Sequence, residues 1–215
     1  GWLTSELILR VTGKSLGTFF REEVGDQHEI DFFIGLPESE DHRVAELVPF
    51  EIVRNENSEQ QKIELTEAQK SQRNSAGTLD IQNTKAWRQA EIPSANGQGN
   101  ARGLAKFYSL IVPEDNSIKL LKDDTVNQMT TMQIEGRDLV LAVQVRWGVG
   151  FILNKHKVIY GPVESAFGHS GYGGSCAFGD PENKIGVSYV MNRMLDNFNA
   201  DGRSIELINA TYNCL

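Results

Sequence analysis

Phe167-Gly168-His169-Ser170-Gly171-Tyr172-Gly173-Gly174-Ser175 is the stretch on which the reading of this chain turns. Five glycines fall between Gly168 and Gly179, interleaved with a histidine, two serines and a tyrosine. Glycine inside a strand gives up packing and backbone order, so such a cluster marks a bulge or a close approach of something to the backbone. The residues beyond it have strand character. Residues 175–178 lead into the turn Gly179-Asp180-Pro181-Glu182-Asn183, after which Ile185, Val187, Tyr189 and Met191 alternate with Gly186, Ser188, Val190 and Asn192. This pattern predicts a hairpin with one apolar face at the centre of a sheet. His169, held beside glycines that let a ligand reach the backbone, is the leading site candidate. The competing reading is an ordinary hydrogen-bonded histidine in a turn or core.

Outward from this hairpin the chain alternates helices and loops. Leu3, Leu7, Ile8 and Val11 share a helical face that Gly13 ends, and a start at Gly1-Trp2 inside that helix suggests a cut. Ser15 caps a second short helix over 16–24, residues 31–37 are extended, and 38–47 hold one or two helical turns. Residues 54–83 are polar and rich in Gln, Asn and Glu, which predicts a surface excursion or a short surface helix within a single domain spanning 1–215. A glycine-rich loop at 92–99 feeds a helix capped by Asn100, with Leu104, Phe107, Tyr108 and Ile111 at i, i+3, i+4 and i+7. A further helix is predicted over 123–132, and strands over 139–145 and 148–153. A closing helix is predicted with Ser204 as its cap and Ile205, Ile208, Tyr212 and Leu215 as its stripe. The fold class is therefore α+β: an antiparallel sheet flanked by helices.

With 215 residues, 40% hydrophobic and 23% charged, the chain has the composition of a globular protein. The net charge of −8, with no basic run interleaved with aromatics, argues against nucleic acid. The longest apolar stretch is too short to span a bilayer, so no membrane partner is expected. Cys176 and Cys214 form no metal-spaced pair, and the four histidines lack ligand spacing, so neither metal nor cofactor is expected. Two reduced thiols and no signal segment suggest a cytoplasmic protein. Gly173-Gly174-Ser175-Cys176-Ala177 lacks the last glycine of a nucleophile elbow, and Thr12-Gly13-Lys14-Ser15 lacks the first glycine of a phosphate-binding loop.

Read in order, Ser15-Leu16-Gly17, Phe32-Phe33-Ile34-Gly35-Leu36-Pro37, Ile92-Pro93-Ser94-Ala95-Asn96-Gly97, Trp147-Gly148-Val149-Gly150-Phe151 and the His169 stretch resemble the serine β-lactamase-like hydrolases. That superfamily includes class C β-lactamases, penicillin-binding proteins and related carboxylesterases, and the chain looks most like its esterase-type members. The resemblance implies a β-lactamase/transpeptidase-like fold, truncated at its N-terminal side. It also implies a serine acyl hydrolase acting on a small ester or amide through an acyl-enzyme. Such enzymes use a Ser-x-x-Lys pair, a Tyr motif, and a Lys-Thr-Gly or His-x-Gly triplet on a strand. His169-Ser170-Gly171 matches the triplet. By that match His169 is catalytic, the backbone N–H of Tyr172 is an oxyanion donor worth about 3–4 kcal/mol of barrier, and Ser170, Gly171, Gly173 and, more weakly, Asn96 in its loop border substrate. No Ser-x-x-Lys and no Tyr-x-Asn occurs in residues 1–215. The fragment alone is therefore expected to be inactive, and a non-catalytic binding or structural member of the fold is the alternative. A His169–Ser170 pair working by itself is disfavoured, because strand neighbours face opposite sides of a sheet.

Overall fold

The computed structural model describes residues 1–50, 67, 70, 79–114, 117–141, 143–157, 159–197 and 200–215. Most of the excursion expected at 54–83 lies outside the described residues; its last five, Leu79–Asn83, form a 3-10 helix.

Local signals set the helices. The first, α1 (Trp2–Thr12), ends at Gly13, whose N–H still donates to Leu9 O and whose left-handed φ of 74° turns the chain out of the helix. In α2 (Leu16–Phe20) Ser15 accepts the Thr18 N–H as cap, and the chain continues through a single π-turn, Arg21–Gly25. After the 3-10 helix Glu38–Arg43 come α3 (Lys85–Gln89), capped by Thr84, and α4 (Ala101–Ile111), capped by Asn100. A two-stranded antiparallel ribbon joins β1 (Phe32–Phe33) to β2 (Gln98–Gly99). α5 (Asp123–Thr130) precedes the main sheet, and α6 (Gly202–Tyr212) closes the chain.

The main sheet is a six-stranded antiparallel meander: β3 (Ile134–Arg137), β4 (Gln144–Trp147), β5 (Ile152–Leu153), β6 (Phe167–Ser170), β7 (Cys176–Asp180) and β8 (Ile185–Tyr189), each beside the next. The hairpin read from the sequence is β7–β8, with Cys176 opposite Tyr189 and Asp180 opposite Ile185. Because Gly168 pairs with Phe178 and Phe167 with Gly179, the two phenylalanines point to opposite faces. Each face builds its own core. Phe167 packs with Tyr108, Ile111 and Val112 under α4, while Phe178 packs with Ile152, Tyr160 and Ile208 under α6. Helix α4 comes down close on β8, where a Cβ on Gly186 would collide with Ala105 O and lie 2.5 Å from Ser109 N. Only glycine fits there. The α+β architecture and antiparallel sheet are as expected.

Four local expectations are corrected. Of the apolar run 139–145, Leu139, Val140 and Leu141 lie at the tip of the β3–β4 hairpin, and among the described residues of the run only Gln144 and Val145 are in a strand. Asp138 reverses the chain by accepting the Val140 and Leu141 N–H groups at 2.8 Å, and it leaves Leu139 73% exposed. Of 148–153 only Ile152 and Leu153 join the sheet; the rest is a turn closed by Gly148 N–H to Phe151 O, which Gly150 permits at φ 81°. The cap of α6 is Asp201, and Ser204 sits three residues on, completing a capping box. The α6 stripe ends at Tyr212, since Leu215 is exposed. On α1, the face carrying Leu3, Leu7, Ile8 and Val11 buries none of them.

Candidate active site

Where β6 ends, the chain enters the glycine-rich loop that the sequence singles out. Gly171 N–H donates to Ser175 O at 2.8 Å, and Gly174 N–H to Gly171 O at 3.3 Å, so residues 171–175 form a tight reversal into β7. A Cβ on Gly171 would strike Ser175 Oγ. Gly173 is fully engaged: its N–H donates to Asn197 O, and its carbonyl accepts from Leu195 N–H and Arg203 Nη2. It holds the loop to the segment 195–197.

Tyr172 projects from this loop into the wall of a cleft of about 730 Å³. The same wall carries Ser175, Val190, Met191 and Asn192, and the opposite side is formed by β1, Arg43, Val44, Leu47, Trp87 and the loop residues Ser94, Ala95 and Gly97. Two contacts tie the segment 48–50 to the Tyr172 side. Val48 bridges to Arg193, and Phe50 meets the Tyr172 ring edge-on at 6.1 Å. The Tyr172 hydroxyl donates to Asp196 Oδ1 at 2.9 Å; burial first, and then this bond, pushes the phenol up to about 12. At neutral pH the group is a hydrogen-bond donor rather than a base.

His169 is an exposed residue at the end of β6, on the same face as Phe167 and opposite Ala177, and it does not line that cleft. Its Nδ1 is 2.7 Å from Ser170 O, and its ring lies 5.6 Å from that of Trp147. The Ser170 hydroxyl points the other way, into the α6-side core, 3.4 Å from Tyr160 Oη. Asn96 is buried as a loop organiser. Its Oδ1 accepts from Ile92 N–H and its Nδ2 donates to Trp87 O and Ala90 O, so its side chain is spent on shaping the loop that borders the cleft. The structure thus brings Tyr172 and the 94–97 loop together, places His169 around the strand end from them, and turns Ser170 and Asn96 inward.

Two groups at this site escaped the sequence reading. An ion pair of Arg43 with Asp31, which Asn100 Nδ2 also meets at 2.7 Å, polarises one cleft wall. The Asp201–Arg203 pair reaches back to the glycine loop. The Asp-Gly-Arg run before an apolar stripe was a helix-start signal available in the sequence; its reach to Gly173 was not.

With this geometry established, the chain can be set beside known proteins. The beta-lactamase family model matches residues 1–210. The esterase/beta-lactamase LipL of Mycobacterium tuberculosis is 32% identical over 214 residues, covering 91% of this chain and 47% of LipL. A family VIII carboxylesterase crystal structure superposes with a TM-score of 0.87 at 40% identity, over 99% of this chain and 56% of that one. A penicillin-binding protein homolog from Caulobacter crescentus gives 0.79 at 34% identity, over 100% and 57%. The chain thus spans about half the length of these relatives. No helix among the described residues is long and apolar enough to cross a membrane. A match running from the first residue almost to the last, through both the helical part and the sheet, places this chain in the beta-lactamase family.

Proposed function

We propose that this chain is the C-terminal part of a serine acyl hydrolase, of carboxylesterase or β-lactamase-like type, that cleaves a small ester or amide through an acyl-enzyme. The nucleophilic serine and its lysine then belong to the part of the relatives' length that residues 1–215 do not span, since no Ser-x-x-Lys occurs here. The observation that supports this reading is the run from His169-Ser170-Gly171 into Tyr172, a strand triplet that ends in the wall of the large cleft.

In this reading the serine attacks the acyl carbon and the carbonyl oxygen becomes an oxyanion. Backbone N–H groups at the strand end, Tyr172 among them, stabilise that charge. His169, exposed at the end of β6, meets the substrate or its leaving group, and Gly171 and Gly173 keep the strand end slim and fixed. Collapse expels the alcohol or amine, and water then releases the acid from the serine ester.

The test uses the longer protein that contains residues 1–215. A fluorophosphonate probe should label one serine outside this segment, and a short p-nitrophenyl ester should be hydrolysed. Residues 1–215 alone should do neither. A longer protein with no labelled serine and no turnover would make the chain a non-catalytic member of its family.

A further inference from the structure

The glycine loop that carries Tyr172 is held from outside by a charged pair on another element. Arg203, in the first turn of α6, donates through Nη2 to Gly173 O at 2.9 Å and through Nη1 to Arg193 O at 2.7 Å. Its Nε lies 3.0 Å from Asp201 Oδ1. The Asp201 carboxylate is itself pinned by the Arg203 N–H at 2.9 Å, and its side chain is only 7% exposed. The loop has been shaped to receive the pair. Gly174 sits at φ 111°, and a Cβ there would collide with Asp201 Oδ2 and come within 2.6 Å of Arg203 Nη2. A planar guanidinium with its donors in a fixed fork suits this task, because one group spans two carbonyls and a carboxylate at once.

We propose that Arg203, braced by Asp201, is a positioning residue that fixes the 171–175 loop, and with it Tyr172, at the cleft wall. This rests on the proposed acyl-transfer site but adds a residue distant in sequence that touches neither substrate nor His169. Catalysis by backbone donors depends on their being held in place before the charge develops, and a displacement of about 1 Å can cost on the order of 100-fold in rate. Ion pairing alone would not require the two carbonyl contacts.

The test compares Arg203→Gln, Arg203→Lys and Gly174→Ala in the protein carrying residues 1–215. The first removes the fork, the second keeps a cation but loses the planar fork, and the third pushes the intact pair away from the loop. Ester turnover should fall about 10- to 100-fold in kcat for Arg203→Gln and Gly174→Ala, with KM changed by less than about two-fold, and Arg203→Lys should fall between them and the parent. Amide hydrogen exchange should quicken at Gly173 and Leu195, whose N–H groups bond to Asn197 O and Gly173 O, while the β7 amides keep their protection. A loss of kcat with Gly173 and Leu195 still protected would make Arg203 a substrate contact and overturn the proposal. So would parental kcat in Arg203→Gln, or protection lost evenly across the sheet. If the parent hydrolyses no ester, the acyl-hydrolase reading fails, and the exchange data alone keep or overturn the clamp.

Discussion

His169 and Ser170 are neighbours that the sheet sends to opposite faces, and their chemistry divides accordingly. The exposed His169 ring carries little packing, so His169→Ala should leave the urea midpoint nearly unchanged. In the active longer protein it should lower kcat/KM for a short acyl ester by about 1–3 kcal/mol, the cost of an unpaired hydrogen-bonding partner. Parental kcat/KM would remove His169 from the site. Cys176 and Cys214 also separate by environment. Burial pushes the Cys176 thiol up to about 11, whereas Cys214 is exposed. Since the thiolate is the reacting species, Ellman's reagent at about pH 8 should find one thiol at once and the second only after denaturation. Two fast thiols would show that the β7–α6 packing opens readily.

At the scale of elements, α6 is tied to the sheet at both ends. Its N-terminus carries the Asp201–Ser204 capping box and the Arg203 fork, and near its C-terminus the Tyr212 hydroxyl donates to Asp180 Oδ2 at 2.6 Å. Asp180 is fully buried in the β7–β8 turn, where it also accepts the Glu182 and Asn183 N–H groups. Tyr212→Phe should therefore cost about 1.5–3 kcal/mol, the range for a hydrogen bond to a charged group, read as a lower urea midpoint at an unchanged slope. Ile208→Ala, at 2% exposure between these ties, should cost about 2–5 kcal/mol. If the Ile208 variant matched the parent, α6 would not be part of the cooperative unit.

For the whole molecule, both cores hold acidic groups whose neutral forms are favoured by burial. Tyr108 on the buried side of α4, and Tyr160 and Cys176 beneath α6, are all raised, chiefly by desolvation, and Tyr212 is raised by burial and by Asp180. The unfolded chain releases these protons near the ordinary Cys and Tyr values of 9.0 and 10.0, while the folded chain retains them to higher pH. Between those limits the native state binds more protons than the unfolded state, so stability falls as pH rises. Urea midpoints should be level up to about pH 8.5 and drop steadily from about pH 9 toward pH 11. A flat profile across that window would mean that these groups ionise as readily in the folded protein as in the unfolded chain.

Whatever local periodicity encodes could be read from the unfolded chain. The alternation over residues 185–191 set the β7–β8 hairpin. The i, i+3, i+4, i+7 pattern with Asn100 set α4, and Ser15 and Gly13 set the ends of the first two helices. Together these specify an antiparallel α+β fold, and the quoted motifs pointed to its family. The apolar run at 139–145 misled because hydrophobicity alone resembles a strand, while one carboxylate, Asp138, turned the chain there. The position of the site was a matter for long-range packing. Which wall Tyr172 joins, why Asn96 and Ser170 turn inward, and how Arg203 reaches Gly173 all depend on segments far apart in the chain. Buried polar groups must find partners wherever the fold brings them. That pairing has no period along the chain, so it becomes legible only when the chain is folded.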